Sequence, residues 1–502
     1  MPLTGASEML RDLLPFSQPQ AKFKASGSAR ALLEGLAALP PLEAVSRLIA
    51  QVLPAIAVEG NLHMRFKLLE EALPEAERAL PALEDKVAHA ELPFSMSTNT
   101  AAVHADNLLK AMANAYAGLA RKIDKSPMHT GLETIFNRSI QRAVNLLARR
   151  QFLAYTAYAT PSASSWLLLH ELYQMACAPG TKALDEETGP IELDYLGALI
   201  FAYLDPSKLP HAELGMIHRC TTQLAPYATL GEASATAQNT GTESCFVVRP
   251  SDGNPGYPLT RLPSGTSISG GLIIDCTQIL AALDRNIARL PGKAVQPDLE
   301  AAPPLLQNMR VALGGKSARR FSRTRFRPRA DLIAGLDAVL SFIDGHAFSR
   351  RSLDEIGGND PRNRQSSEWS LVDESPDGFR VRFIKGETIK LSAGNVVALQ
   401  PRESSKVHIC LVRRVSSTAA RLEMGLQLLS PQISAIQVKH QNLAAIPAIF
   451  LHSLPAYGRF SGVIVAPGKF KTGQKISFDS LGRSVQRQIG KCIEANEGLE
   501  FF

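Results

Sequence analysis

Long hydrophobic runs are missing from this chain. Its most apolar segment, Tyr195 to Leu204, falls far short of the ~20 uninterrupted apolar residues a helix needs to cross a bilayer. The opening MPLTGASEMLRDLL has no basic stretch feeding an apolar one, so it does not read as a secretory signal, and a cytoplasmic location is expected. Cysteine is scarce. Cys177, Cys220, Cys245, Cys276, Cys410 and Cys492 are scattered singly and none forms a CxxC pair, which argues against both a zinc site and a disulfide framework. Buried thiols and no metal are the expectation. Also missing is a recognisable serine or cysteine nucleophile elbow or a partnered carboxylate pair, so no catalytic site is indicated and the chain reads as a non-enzyme.

What is present begins with size. A chain of 502 residues exceeds one hydrophobic core and suggests about three domains. With 45% hydrophobic and 20% charged residues it falls in the ordinary globular range. The net charge of +7 leans weakly toward an anionic partner, and its distribution says more. Lys316, Arg319, Arg320, Arg323, Arg325, Arg327 and Arg329 follow one another with no acidic residue between them.

Along the chain the texture changes three times. Residues 1–28 show little periodicity and are expected to be a disordered tail. From 29 to 227 apolar residues recur at helical spacing: Leu109, Met112, Tyr116 and Leu119 share one face, as do Phe136, Ile140, Val144 and Leu147. This predicts an all-α array of about eight helices, stopped or restarted at prolines 40, 41, 54, 74, 81 and 93. No fixed repeat period emerges. Residues 228–304 read as a mixed connector, with a strand at Cys245–Val248 and a helix over Cys276–Leu290. From 305 to 432 the signal is β, with FRVRF (Phe379–Phe383) alternating at the two-residue period of a half-buried strand. Further strands are predicted at Val396–Leu399, His408–Val415 and Glu423–Leu429. A second small β unit is expected over 433–502. Strands this short need closure, so the fold class predicted is α+β multidomain, with a β-barrel in the third segment.

Two local motifs stand in that segment. RRFSR carries Arg319 and Arg323 in an RxxxR spacing, with Arg320 as an adjacent donor, just ahead of the first strand. DESPDG carries Asp373, Ser375 and Gly378 in a DxSxxG spacing, just ahead of FRVRF. A closing strand with GxxL (Gly425–Leu428) follows. In that order the residues resemble the PilZ family of cyclic-di-GMP receptors, over about a quarter of the chain. The resemblance implies a six-stranded barrel and a cyclic-di-GMP site made by Arg319, Arg320, Arg323, Asp373, Ser375 and Gly378. An arginine fork fits phosphate oxygens and the guanine O6/N7 edge, and its face stacks on purines. A glycine lets backbone approach where a Cβ would collide. One departure is the long stretch between Arg323 and Asp373, HAFSRRSLDEIGGNDPRNRQSSEW within it, expected to be a loop inserted between early strands.

Other signals are set aside. GGKS (Gly314–Ser317) would complete a P-loop only with glycine at Arg310. His170 and Glu171 lack the second histidine of HExxH, so His170 is read as a satisfied packing histidine. His408 and Cys410 are read as core. Only Phe321 and Phe326 interleave the basic run, so nucleic acid is the weaker reading. The expectation is an effector that couples cyclic-di-GMP binding at the barrel to a helical domain with an unknown protein partner. No cofactor beyond that ligand is expected. The competing expectation is an interaction scaffold with a degenerate, non-binding barrel.

Overall fold

The computed structural model of the chain describes residues 25–125, 131–178, 185–233, 243–263, 265–289, 295–314, 328–343, 366–386, 391–404, 406–418, 421–430, 433–440, 444–453, 461–480, 483–496 and 498–502. The helical region is built from α1 (Ala25–Leu33), α2 (Pro41–Arg47), α3 (Leu53–Ala57), α4 (Leu62–Ala88), α5 (Met96–Asp124), α6 (Glu133–Thr156), α7 (Ala163–Ala176), α8 (Asp185–Tyr203) and α9 (Leu214–Leu224). Side chains cap the starts: Asn61 accepts from the Met64 amide at 3.0 Å, and Ser95 from the Thr98 amide at 3.2 Å. The faces predicted from periodicity are the buried ones. Leu109, Met112, Tyr116 and Leu119 of α5 meet Phe136, Ile140, Val144 and Leu147 of α6 in one core.

Two of the predicted breaks fail. Pro74 and Pro81 sit inside α4, which runs unbroken through both. They lie seven residues apart and both are exposed, on a side of the helix where water can take up a carbonyl that proline leaves without its amide partner. The opposite side buries nine residues from Arg65 to Val87, and that packing overrides the local penalty. Pro54 behaves differently. A single π turn, Leu48–Val52, accommodates the chain just before it.

After the helices come β1 (Thr229–Glu232), β2 (Cys245–Val248), β3 (Tyr257–Pro258) and β4 (Leu272–Asp275), in sheet order β1-β4-β2-β3. Helices α10 (Thr277–Ile287) and α11 (Pro303–Leu313) follow. Phe246, Ile274, Ile279, Leu283, Met309 and Leu313 belong to the same core as the helices, so the segment read as a connector is packed into the helical body. His170 is held there as a buried neutral ring: its Nε2 bonds the Asn254 carbonyl and its Nδ1 the Tyr195 hydroxyl, both at 2.9 Å. Burial depresses its pKa.

The barrel is closed and six-stranded. β5 (Arg329–Ala334), β6 (Ser366–Ser375), β7 (Gly378–Gly386), β8 (Val396–Pro401), β9 (His408–Thr418) and β10 (Arg421–Ser430) pair antiparallel in the order β10-β7-β6-β5-β8-β9, with β9 returning to β10. A short helix, α12 (Leu336–Ile343), leaves β5; the polar insertion expected before Asp373 lies mostly at 344–365, outside the described residues. Ala330, Leu332, Trp369, Leu371, Val381, Leu399, Cys410 and Met424 fill the interior. The Trp369 indole N–H is satisfied by the Ser367 hydroxyl at 2.8 Å. Ile333, Val396, Ala398, Ile409 and Leu411 point outward, yet they are buried, because α12 and the last β unit cover them.

That unit holds β11 (Ile433–Val438), β12 (Ile446–Leu451), β13 (Gly462–Val465), β14 (Lys475–Ser480), β15 (Arg483–Gln488), β16 (Glu494–Ala495) and β17 (Glu500–Phe501). β14 and β15 form a hairpin; the others form a sheet in the order β11-β12-β13-β17-β16. Ile436, Val438, Phe450, Val463 and Phe478 make its own small core.

Candidate functional site

Strand register defines one end of the barrel. Arg329 opens β5 opposite Ser370, Ala330 faces Pro401, Leu399 faces His408, and Gln427 faces Gly378. The DESPDG turn, joining β6 to β7, therefore lies at the end of the barrel where β5 begins. Gly378 has φ +150°, a region that L side chains rarely adopt, and a Cβ there would stand 1.9 Å from the Leu426 carbonyl oxygen. No other residue fits. The Ser375 hydroxyl donates to the Gly378 carbonyl at 3.3 Å, and the Leu428 amide donates to the Asp377 carbonyl at 2.8 Å, which pins the turn to β10.

Asp373 pairs in register with Arg380 across β6 and β7. Its carboxylate is only 8% exposed and takes the Arg380 Nε at 2.8 Å. Arg380 reaches on to Glu423 at 3.9 Å, and Glu423 is clasped by Arg382 at 2.7 Å. A row of alternating charge thus runs over the outer wall beside the turn. Sequence reasoning passed over Arg380. The alternation of FRVRF put Arg380 and Arg382 on one outward face, but only the strand register places Arg380 on Asp373.

A second cluster sits on the neighbouring wall. Glu368 of β6 is nearly buried and pairs with Arg329, with Arg402 at 3.0 Å and with Lys385 at 3.6 Å; Arg402 also holds Asp331 at 2.9 Å. Burial raises the Glu368 pKa, but the Arg329 hydrogen bond and the fields of Arg402, Arg329 and Lys385 outweigh it, leaving the carboxyl below its ordinary value. Arg329, the last cation of the basic run, is thereby committed to a structural ion pair.

Arg319, Arg320 and Arg323 lie outside the described residues. Asp373, Ser375 and Gly378 are brought together as one turn and its flanking strand. The described chain resumes at Pro328, whose carbonyl accepts from the Leu371 amide at 3.0 Å, two residues from Asp373.

The far end of the barrel is closed by the helical region. Leu92 and Tyr158 join the barrel core, with Phe94 against it. Tyr158 has φ +52°, and its carbonyl accepts from the Ser417 amide at 2.9 Å. The hydroxyl geometry orients a chain of donors. The His211 amide donates to the Ser392 hydroxyl at 2.7 Å, Ser392 faces the Tyr158 oxygen at 3.1 Å, and Tyr158 donates to the Leu209 carbonyl at 2.9 Å. Asp205, also at positive φ, meets Arg414 of β9 at 3.5 Å.

Comparison with known proteins agrees with this anatomy. Residues 27–235 match the model of the N-terminal domain of the cyclic-di-GMP receptor FimW, and residues 354–434 match that receptor's middle PilZ domain. The second match includes Asp373, Ser375 and Gly378 and begins after Arg323 and after β5. The cyclic-di-GMP receptor FimW of Pseudomonas aeruginosa is 24% identical over 445 residues, covering 72% of this chain and 71% of its own length. No solved structure matches the chain. Among the described residues no helix is long and apolar enough to cross a membrane. Two models of one family, matched in order over the helical array and over most of the closed six-stranded barrel, show that the chain belongs to the family of the cyclic-di-GMP receptor FimW, with its N-terminal and middle PilZ domains.

Proposed function

We propose that this chain is a non-enzymatic, cytoplasmic receptor that binds cyclic-di-GMP at the β5-start end of its barrel. Arg319, Arg320 and Arg323 supply guanidinium groups to the phosphates and guanines, Asp373 accepts from a guanine N–H, and Ser375 and Gly378 shape the turn that admits the ligand. The observation that carries the reading is the position of the DESPDG turn. It stands at the barrel end where β5 starts, and Arg323 is only six positions ahead of Arg329. Six residues span at most about 20 Å, so the basic run has the reach to meet Asp373. The name carried by the matched family and by the Pseudomonas aeruginosa relative supports the choice of ligand.

The chain connects the site to the helical body in two ways. Residues 315–327 lead from α11, whose Leu313 is buried in the helical core, to the start of β5. The Tyr158 seam holds the opposite end of the barrel. Ligand held by the basic run pulls on one connection while the other stays as a pivot, which shifts the helical body and what it contacts. We assign the helical domain, 29–227, a protein partner on this ground.

Calorimetric titration of the full chain with cyclic-di-GMP tests the reading. Saturable binding at micromolar or tighter dissociation constant is expected, lost in Arg323→Ala and weakened in Ser375→Ala. A heat-silent titration of folded protein would instead leave an interaction scaffold with a barrel that binds nothing.

A further inference from the structure

A cleft of about 1300 Å³ opens where three parts of the chain meet. Helices α4, α6, α8 and α9 form one wall, the segment from Leu391 to Asn395 ahead of β8 forms another, and Asn496 and Gly498 of the last β unit complete it. Single small molecules occupy ~300–1,000 Å³, so the space suits an extended chain rather than one ring. Most polar groups of the lining are already used. Arg149 of α6 is shared between Glu84 at 2.7 Å and Glu77 at 2.5 Å, His89 meets Asp85 at 3.1 Å, and the His211 Nε2 lies 2.7 Å from the Thr156 carbonyl.

Asp194 of α8 is different. Among the described residues no cation pairs with its carboxylate; burial raises its pKa above the ordinary carboxylate value, and the Asn145 side chain alone pulls the other way. The residue is part-exposed, and no unpartnered oxygen of it is sealed from solvent. His218 of α9 stands further along the cleft. Its ring lies 4.3 Å from that of Phe152 and meets Phe201 edge-on at 5.5 Å. Burial, with the field of Arg219, depresses its pKa, so the ring is neutral and offers one nitrogen as an acceptor. Among the described residues no hydrogen bond reaches either ring nitrogen, and neither is sealed. Asn145 beside Asp194 and Phe152 beside His218 are two turns apart on α6, which sets the two groups about 10 Å apart. The charges choose the ligand. Glu84, Asp85 and Asp194 face Arg149 and Arg219, and Arg149 is also tied to Glu77, so the cleft is locally acidic in a chain of net charge +7. A part-buried carboxylate without a counter-ion attracts a cation more than an exposed one does, because salt screens it less.

We propose that the cleft between α6, α8, α9 and the segment ahead of β8 binds an extended organic cation, with its ammonium or guanidinium group on the Asp194 carboxylate and a second N–H, about 10 Å away, on the His218 ring. A free diamine carries such groups, and so does a lysine or arginine side chain with the peptide amide behind it. The site is separate from the one proposed for cyclic-di-GMP. His211 and Ser392 in its wall belong to the Tyr158 seam, at the opposite end of the barrel, so an occupant touches the helical body and the barrel at once.

The test uses the full-length protein and three probes that share a chain length and differ in end charge: hexamethylenediamine, hexanediol and adipate, followed by saturation-transfer NMR and thermal shift. The diamine is expected to bind saturably at millimolar concentration or below, with the diol and adipate at least tenfold weaker. Asp194→Asn, which keeps the shape and removes the charge, is expected to stay folded with an unchanged or higher Tm and to lose the diamine at least tenfold. His218→Phe keeps the ring contacts and removes the nitrogens; it is expected to weaken the diamine threefold or more. Arg219→Ala removes the opposing cation and is expected to bind the diamine as tightly or more tightly. Acetyl-glycyl-lysyl-glycinamide separates the two sources: binding tighter than the diamine assigns a peptide's basic side chain, weaker binding a free amine, and both support the site. A diamine that does not bind, binds no better than the diol or adipate, or binds Asp194→Asn as well as the natural protein overturns the proposal.

Discussion

Replacing Arg380 by alanine should damage the barrel and the ligand site together. The Asp373 carboxylate is 8% exposed and receives the Arg380 Nε at 2.8 Å, whereas the arginine itself is 44% exposed. Hydrogen bonds to charged groups are worth about 1.5–3 kcal/mol, and the exposed side of the pair is screened toward the lower figure. We therefore expect Arg380→Ala to lower stability by about 2 kcal/mol in urea denaturation, with the slope unchanged. Asp373→Asn in the same background should then cost less than it does alone, giving a coupling of about 1–2 kcal/mol in a double-mutant cycle. If Asp373 orients a guanine, its loss of support should also weaken cyclic-di-GMP by about tenfold, which corresponds to about 1.4 kcal/mol. Full stability and unchanged affinity in Arg380→Ala would refute the strut. A stability loss with unchanged affinity would confine the pair to the barrel wall.

Further expectations follow from the same geometry. Gly378→Ala forces a Cβ onto the Leu426 carbonyl at an unfavourable φ, so it should cost about 1–3 kcal/mol by denaturation and abolish ligand heat, whereas glycine-tolerant neighbours such as Asp377→Gly should not. Burial pushes the Tyr158 pKa up to about 12, against the opposing pull of the Ser392 hydroxyl and the Ala393 amide. Below pH 10 folded and unfolded chains are both protonated there; between 10 and about 12 the unfolded chain ionises first, so stability falls by up to about 1.4 kcal/mol per unit. Tyr158→Phe should therefore cost about 1 kcal/mol at neutral pH through the lost bond to Leu209, and show a shallower alkaline decline in pH-dependent unfolding. Pro74→Ala should stabilise α4 by about 1–3 kcal/mol, measured by thermal or urea unfolding, because alanine restores a backbone donor inside an intact helix.

The fold was legible where periodicity is strong. Helical faces around Met112 and Ile140, and the two-residue alternation of FRVRF, are local signals that burial then confirms in space. Proline is local too, and there the reading of α4 went astray. Pro74 and Pro81 carry a breaker's chemistry, yet their exposed placement on a helix with a long buried face decides the outcome, and that face is a tertiary property. The same limit hid α12 and the packing of 228–304 into the helical core. Leu336–Ile343 is apolar enough to pass for a strand, and short strands such as Cys245–Val248 carry no mark of the core they join.

The site divides along similar lines. Gly378 stood out because DxSxxG is a contiguous pattern, and its positive φ explains the glycine. Arg380 is five residues past Ser375, on the outward face of its strand, and nothing in its local context marks it. Its role follows from register, which depends on how β6 and β7 slide against each other. The Tyr158 seam is less accessible still, since it joins residues more than two hundred positions apart.

Whether guanidinium groups from the basic run and the β6–β7 turn act on one molecule can be measured directly. Affinity for cyclic-di-GMP would be determined by calorimetry for Arg323→Ala, Asp373→Ala and the double variant. A shared ligand predicts large single losses and a double loss smaller than their sum, a coupling of about 1 kcal/mol or more. Affinity unchanged in both single variants, or losses that add without coupling, would contradict a common pocket.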